Sequence, residues 1–244
     1  MEESRRQSFL AFGDPIVGPT PAPRQVALST RGAFEQMGSA FGRLPYSAEE
    51  VRRVAAIYGI EPNSDAINLG AAATKKRLEE LDLSQYRNLH FATHAVMGDE
   101  VKWLTQPALI FSPEGTGRED DGVLKMSEIF NLHLNADLVV LSACETARGE
   151  MSRGEGIVGL TDAFLFAGSR SVVASLWNVN DESTSLFMEY FYSGLKEGMP
   201  KAEALENARR ALMRKRFRST VTGEEESLAS PYFWAPFILV GDWR

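Results

Sequence analysis

The sequence predicts a single α/β domain of three layers, with a mostly parallel central sheet and helices on both faces. The chain has 244 residues, of which 44% are hydrophobic, enough for one large core. Its apolar runs VVL, SVVASL and FILV are continuous rather than alternating, which indicates strands covered on both faces. Helical stretches separate these runs, as the crossover connections between parallel strands require.

The first 45 residues are predicted to form an extended, loop-rich segment that packs only partly on the domain of residues 46–244. This segment is rich in Gly, Pro, Ser and Thr, and its one apolar run is the short stretch SFLAF. The folded core is therefore expected to start after it.

Helices and strands alternate along the rest of the chain. Ser47 and Glu50 form a capping-box pattern at the start of the first helix. The stretch 223–230, GEEESLAS, is polar and charged, and we expect a mobile surface loop there. The predicted helices are 48–58, 71–81, 125–130, 156–167, 184–195 and 201–217, and the predicted strands are 89–94, 108–112, 136–144, 171–179 and 236–243.

Charge and hydropathy narrow the possible partners. The net charge is −7 and the pI is near 5.2, whereas nucleic-acid binding requires a surplus of Lys and Arg. The one basic run, between Arg209 and Arg218, is expected to be the solvated end of a helix. No segment approaches the roughly 20 apolar residues that span a bilayer, and no signal-peptide pattern opens the chain. The sequence therefore predicts a soluble cytoplasmic protein without nucleic-acid or membrane partners.

Two side chains with catalytic chemistry stand at the ends of predicted strands. His94 closes LHFATH and Cys144 closes ADLVVLSAC, so both are expected at the carboxyl edge of the sheet, where active groups collect. A free thiol is only a few per cent thiolate at neutral pH, and a nearby imidazole supplies both a base and a cation. Cys144 could instead be a small buried residue, but the polar, glycine-rich continuation ETARGEMSRGEG argues against a packed core.

Metal chemistry is not predicted. A single cysteine permits neither an internal disulfide nor a Cys-rich zinc site. His90 and His94 share the spacing of a zinc-binding helix, but Phe91 stands where the metalloprotease glutamate belongs, and the segment is a predicted strand. His90 lies inside that strand and is interpreted as a hydrogen-bonded core histidine.

A glycine pattern raises the alternative of a nucleotide-binding oxidoreductase. Gly154, Gly156 and Gly159 match the dinucleotide fingerprint formally, and Asp181 lies beyond the next strand. In a Rossmann turn, however, the glycines follow the strand directly, whereas a longer connection intervenes here. A phosphatase loop is also disfavoured, because Glu150 occupies the position of the arginine that such a loop requires.

Several segments closely resemble the CHAT domain of caspase-like peptidases. They are HFATHA, LVVLSACETARGE, GIVGLTDAFLFAGSRSVVASLWNVND and WAPFILVGDW, with weaker similarity in FGDP, LPYSAEE and GAAATKKRL. The resemblance covers nearly the whole chain and implies a caspase-hemoglobinase fold. It also implies that His94 and Cys144 form a dyad that cleaves peptide bonds through an acyl-enzyme, without a cofactor.

The resemblance extends to residues around the dyad. Backbone amides near Ala95 and Cys144 would form the oxyanion hole, although many relatives have Gly after the histidine. Arg/Lys-directed relatives such as the metacaspases carry a carboxylate where Ser142 stands, which argues against a basic P1 pocket. Asp181 could supply that charge, as the similar segment does in separases, or could be a helix N-cap or first-turn charge. Trp177 is either a wall of the substrate pocket or a core residue.

Members of this family are commonly fused to tetratricopeptide or other repeats that recognise a partner and control the protease. The sequence contains no such repeat, so we expect either a stand-alone member or the catalytic end of a longer protein. The predicted partners are a protein or peptide substrate and a repeat-containing regulatory module or activator. The leading hypothesis is a regulated cysteine endopeptidase, and the alternative is a catalytically silent CHAT-fold interaction module.

Overall fold

Three sheets and seven α-helices make up the described part of this computed structural model, which covers residues 6–17, 43–96, 104–116, 120–142, 144–145, 153–177, 181–218 and 225–244. The strands are β1 (Leu10–Gly13), β2 (Ile67–Leu69), β3 (Asn88–Ala92), β4 (His94–Val96), β5 (Ala108–Ile110), β6 (Val123–Lys125), β7 (Leu138–Leu141), β8 (Cys144–Glu145), β9 (Ser171–Ser175), β10 (Arg216–Arg218), β11 (Glu225–Ser227) and β12 (Phe237–Gly241). The helices are α1 (Pro45–Ile57), α2 (Lys75–Glu80), α3 (Met126–Ile129), α4 (Arg153–Phe166), α5 (Asp181–Lys196), α6 (Lys201–Met213) and α7 (Pro231–Trp234).

The main sheet has six strands in the order β12-β9-β7-β3-β1-β2. All of its neighbouring strands are parallel except β12, which pairs antiparallel with β9 at one edge. The predicted fold class, a mostly parallel α/β sandwich, is therefore confirmed. The crossovers between parallel strands place helices on both sides of the sheet, as such connections require.

Both faces of the sheet are buried. Leu138 and Val140 of β7 pack with α1, α5 and α6, while Val139 and Leu141 pack with α3 and α4. All four side chains are at most 1% exposed. This two-sided burial explains why the strand is an unbroken apolar run, because successive side chains point to opposite faces of a strand.

A smaller sheet of four strands, in the order β6-β5-β4-β8, lies beyond the carboxyl ends of β3 and β7. Its strand β4 pairs antiparallel with β5 and parallel with β8. The chain enters β4 only two residues after Ala92 ends β3, with the fully buried Thr93 between them. The predicted strand 89–94 is therefore two strands in two sheets.

Strand β1, which contains most of the SFLAF run, lies inside the main sheet between β3 and β2. The predicted capping box after it is wrong, because α1 begins at Pro45 with Leu44 at its N-cap. Ser47 instead lies in the first turn, where its Oγ donates to the Leu44 carbonyl and accepts from the Asp14 N–H, each at 2.8 Å. This serine joins the end of β1 to the start of α1.

The region after α6 also differs from its prediction. The helix ends at Met213 rather than at residue 217, and the chain then forms β10. The described part of the predicted loop 223–230 contains β11, which pairs antiparallel with β10. The charged sequence thus forms a two-stranded ribbon, in which Arg216 Nε lies 3.5 Å from Glu225 Oε2. In the described ranges, no helix is long and apolar enough to cross a bilayer.

Candidate active site

The candidate site is at the carboxyl edge of the main sheet. Strands β3 and β7 are direct neighbours in parallel register, with Phe91 opposite Leu141 near their ends. Beyond these ends, the chain from β3 enters β4 and the chain from β7 enters β8. The two segments that the sequence analysis singled out therefore leave the sheet side by side.

His94 and Cys144 are register partners in the parallel pair of β4 and β8. Neighbouring strands lie about 4.8 Å apart, so an imidazole and a thiol on paired residues are near enough to interact. Ala95 occupies the next register position, opposite Glu145 on one side and Leu109 of β5 on the other. For Cys144 and Glu145 the structure describes the backbone alone. The backbones of His94 and Cys144 lie side by side in the smaller sheet.

The histidine end of the site is fully enclosed. Thr93, His94 and Ala95 are each 0% exposed, and Ser142, just after β7, is 4% exposed. Within the described ranges, the Ser142 hydroxyl has no hydrogen-bond partner, although it is buried. A low-dielectric setting of this kind strengthens the interaction between an imidazole and a neighbouring ionisable group.

His90, four residues before His94, has a different environment. Its Nδ1 lies 3.1 Å from the Tyr192 hydroxyl of α5, and its Nε2 lies 2.8 Å from Glu50 Oε1 of α1. All three side chains are buried, and burial raises the pKa of Tyr192 well above its usual value, with smaller contributions from Tyr58 and Glu50. The interpretation of His90 as a bonded core histidine is confirmed.

The predicted substrate-pocket residues lie on a different connection. Trp177 follows β9 and is half-buried, and its Nε1 donates to the Tyr232 carbonyl oxygen at 3.0 Å. Asp181 is the first residue of α5, and its side chain lies outside the described atoms, as do residues 178–180. The roles of Ser142, Trp177 and Asp181 in substrate binding stay predictions.

The glycines of the formal dinucleotide match are inside a helix. Gly154, Gly156 and Gly159 all belong to α4, which begins at Arg153, whereas β7 ends at Leu141. A dinucleotide site requires glycines in the turn that directly follows the strand. This arrangement disfavours the nucleotide-binding alternative.

The break at Thr93, which places His94 in the smaller sheet rather than the main one, was not predicted from the sequence. Thr is a β-branched residue with a strong strand preference, so nothing in LHFATH marks a boundary. The sequence LVVLSAC likewise contains no residue that marks the corresponding break after Leu141. No local signal would have found either one.

Comparison with known proteins agrees with this architecture. The family model of the CHAT domain matches residues 3–242. Tetratricopeptide repeat protein 28 of Mus musculus is 28% identical over 236 residues, and its counterpart in Homo sapiens is 28% identical over 229 residues. Each alignment covers 82% of this chain but only 9% and 8% of the two relatives, respectively, so the chain spans less than a tenth of their length.

Proposed function

The chain belongs to the CHAT domain family, and we propose that it is a cysteine endopeptidase with His94 and Cys144 as its catalytic dyad. The family has a caspase-like fold related to cysteine peptidases. The observation that carries the proposal is the parallel register that sets His94 opposite Cys144. Nucleophilic catalysis by cysteine needs an imidazole at this range, because the thiol by itself is mostly protonated at neutral pH.

The mechanism needs only these two side chains and a water molecule. The Cys144 thiolate attacks the carbonyl carbon of the scissile bond, and the His94 imidazolium donates its proton to the departing amine. The acyl group remains on sulfur as a thioester. Water, deprotonated by the neutral His94, then attacks the thioester, which releases the acid and returns the thiolate and imidazolium.

Backbone amides near Ala95 and Cys144 are proposed as the oxyanion hole. Ala95 is in the same strand as His94, and its register partner Glu145 directly follows Cys144. Donors fixed within a sheet require little reorganisation when negative charge develops on the carbonyl oxygen. Loss of one such donor typically lowers the rate by about 10²–10³-fold.

Ser142, Trp177 and Asp181 are proposed to determine substrate choice. Ser142 precedes Cys144 by two positions and lacks the negative charge that would hold a basic P1 side chain. Asp181, at the start of α5, is the carboxylate proposed to supply it. Trp177 is proposed as a pocket wall, which its hydrogen bond to Tyr232 would hold in place.

A repeat-containing protein is proposed as the regulatory partner. The two relatives are named for tetratricopeptide repeats, and the region similar to this chain is a small fraction of each. The matched region therefore accompanies repeats in these relatives, and we propose that repeats in cis or in trans control the endopeptidase.

The proposal is tested by labelling the thiol. A peptide acyloxymethyl ketone should add once to the wild-type chain and not to Cys144→Ala, as measured by intact mass. His94→Gln should also abolish labelling at neutral pH, because the thiol loses its base. His133→Gln is the matched control, since His133 is exposed and on a different connection, and it should label like the wild type.

Cleavage of a peptide library separates the two classes of function. The wild type should cut a defined set of peptides that the Cys144→Ala variant leaves intact. Equal cutting by both variants would refute the dyad. A wild-type chain that neither labels nor cleaves, alone or with a repeat-containing partner, would instead identify a silent interaction module.

A further inference from the structure

A second concave site lies at the opposite edge of the main sheet from the dyad. It is a cavity of about 490 Å³ at the amino ends of the parallel strands. Arg87, Asp137 and Arg170, which line it, each directly precede a strand, namely β3, β7 and β9. The five residues of β3 span about 17 Å at 3.3 Å per residue, so this cavity is distinct from the candidate active site.

The cavity is strongly positive in a protein of net charge −7. Among the residues that the structure describes, two acidic side chains, Asp137 and Asp242, line it. Five basic side chains line it, which leaves an excess of three positive charges. These are Arg87, Arg170, Lys196, Lys201 and Arg244.

Asp137 is already neutralised by arginines. Its Oδ2 lies 2.7 Å from Arg87 Nε, and its Oδ1 lies 3.4 Å from Arg6 Nη2 and 3.9 Å from Arg170 Nε. Arg87 uses only Nε on this carboxylate, so in the described ranges both of its terminal nitrogens remain available. The carboxylate thus holds the guanidinium groups near one another and does not cancel their excess charge.

Backbone hydrogen bonds across the sheet edge fix the backbone from which the two arginine side chains extend. The Asp137 N–H donates to the Arg87 carbonyl oxygen at 2.7 Å, and the Arg170 N–H donates to that of Ala136 at 2.9 Å. The Asp242 N–H donates in turn to the Arg170 carbonyl oxygen at 2.9 Å. Because this backbone is already ordered, binding of a ligand here would cost little free energy for ordering it.

Two lysines, one at the end of α5 and one at the start of α6, complete the cavity. Lys196 Nζ lies 5.4 Å from the centre of the Tyr58 ring, a cation–π distance. The Lys201 side chain is only 11% exposed, and its Nζ donates to the carbonyl oxygens of Asp242 at 3.0 Å and Arg244 at 2.6 Å. Burial lowers the pKa of Lys201, and an anion bound nearby would favour its charged form.

We propose that this cavity binds a small oxyanion of the oligophosphate class, either free pyrophosphate or the phosphate chain of a nucleotide. Arginine favours phosphate, because its planar guanidinium matches two phosphate oxygens at once. Pyrophosphate carries several negative charges on adjacent phosphates, which suits cations distributed around one cavity. This site is independent of the dyad and of the endopeptidase proposal.

Calorimetry on the full chain with inorganic pyrophosphate tests the proposal. Arg170→Gln/Lys196→Gln should raise the dissociation constant at least tenfold. The matched control, Lys76→Gln/Arg210→Gln, removes two exposed charges elsewhere and should leave it unchanged. Equal weakening by both double variants, or no binding of pyrophosphate by the wild type, would overturn the site.

Removing a negative charge from the cavity tests whether the change in pyrophosphate affinity comes from charge rather than from a general loss of structure. Asp242→Asn should tighten pyrophosphate binding by a few fold, since it deletes a negative charge from the lining. Unchanged or weaker binding by this variant would contradict the electrostatic basis of the proposal.

The affinities of different anions identify the chemical class of the ligand and show whether it is a free anion or part of a nucleotide. Orthophosphate and citrate should bind at least tenfold more weakly than pyrophosphate, and citrate binding of equal strength would refute selectivity for phosphate. Tighter binding of ADP than of pyrophosphate would identify a nucleotide as the source, whereas weaker binding would identify the free anion.

Discussion

His90 and His94 are four residues apart in the chain, but they belong to different sheets and have different neighbours. Both are 0% exposed, so burial does not distinguish them. His90 lies between Glu50 and Tyr192, which two helices of one face supply. His94 is the register partner of Cys144 in the smaller sheet. Two histidines of equal burial therefore differ in the groups that face them, and these neighbours rather than exposure distinguish a core histidine from a candidate catalytic one.

The largest expected effect is on catalysis at His94. His94→Gln should lower kcat/KM for peptide cleavage by about 10²–10⁴-fold, the usual contribution of a general acid–base group. Steady-state kinetics on a peptide found in the library screen would measure it. The melting temperature of this variant should stay close to that of wild type. A catalytic loss that merely followed unfolding would remove the contrast with His90.

His90→Leu should act on stability rather than on chemistry. The change leaves the Glu50 carboxyl buried without its polar neighbour, and an unsatisfied buried polar group typically lowers the free energy of unfolding by about 1–3 kcal/mol. Urea unfolding measures this loss. Peptide cleavage per folded molecule should be unchanged, and a selective fall in kcat would give His90 a part in the reaction.

Replacing both partners should be milder than replacing one. In Glu50→Leu/His90→Leu no buried carboxyl is left alone, so the free energy of unfolding should recover by about 1 kcal/mol relative to His90→Leu. A double-mutant cycle by urea unfolding measures this coupling. Additive losses would mean that the 2.8 Å approach of the two side chains stabilises nothing.

The smallest effect is expected at Tyr192. Tyr192→Phe should lower the free energy of unfolding by about 1 kcal/mol at pH 7, because one hydrogen bond to His90 is lost. The pKa of Tyr192 is raised in the folded protein, so the unfolded chain loses this proton first, from about pH 10. Wild-type stability from this group is therefore full below pH 10 and falls above it.

The stability curves of wild type and Tyr192→Phe should thus converge above pH 10, as urea unfolding at pH 7, 9 and 11 would measure. Tyr58→Phe is a useful comparison, since burial raises the pKa of Tyr58 to about 12 while no hydrogen bond to His90 is involved. Parallel curves for wild type and Tyr192→Phe would show that Tyr192 does not keep its proton in the folded state.

The α/β class, the mostly parallel character of the sheet and the chain positions of the candidate dyad could be predicted from the amino-acid sequence. Unbroken apolar runs such as LVVL indicate burial on both faces, because a strand that is covered on both sides has apolar side chains at successive positions. The single cysteine narrowed the chemistry further, because only Cys144 could be a nucleophilic thiol.

The pairing of the strands and the residues at which each strand ends depend on tertiary contacts and were not predictable from the sequence. The short SFLAF run gave no sign that β1 would lie between β3 and β2, since a strand's neighbours are set by contacts remote in sequence. The same holds for Thr93, where a strand-forming residue ends β3, and for the β10–β11 ribbon within a charged stretch. Strand preference depends on the surrounding packing, and the packing that moves His94 into the smaller sheet exists only in the folded chain.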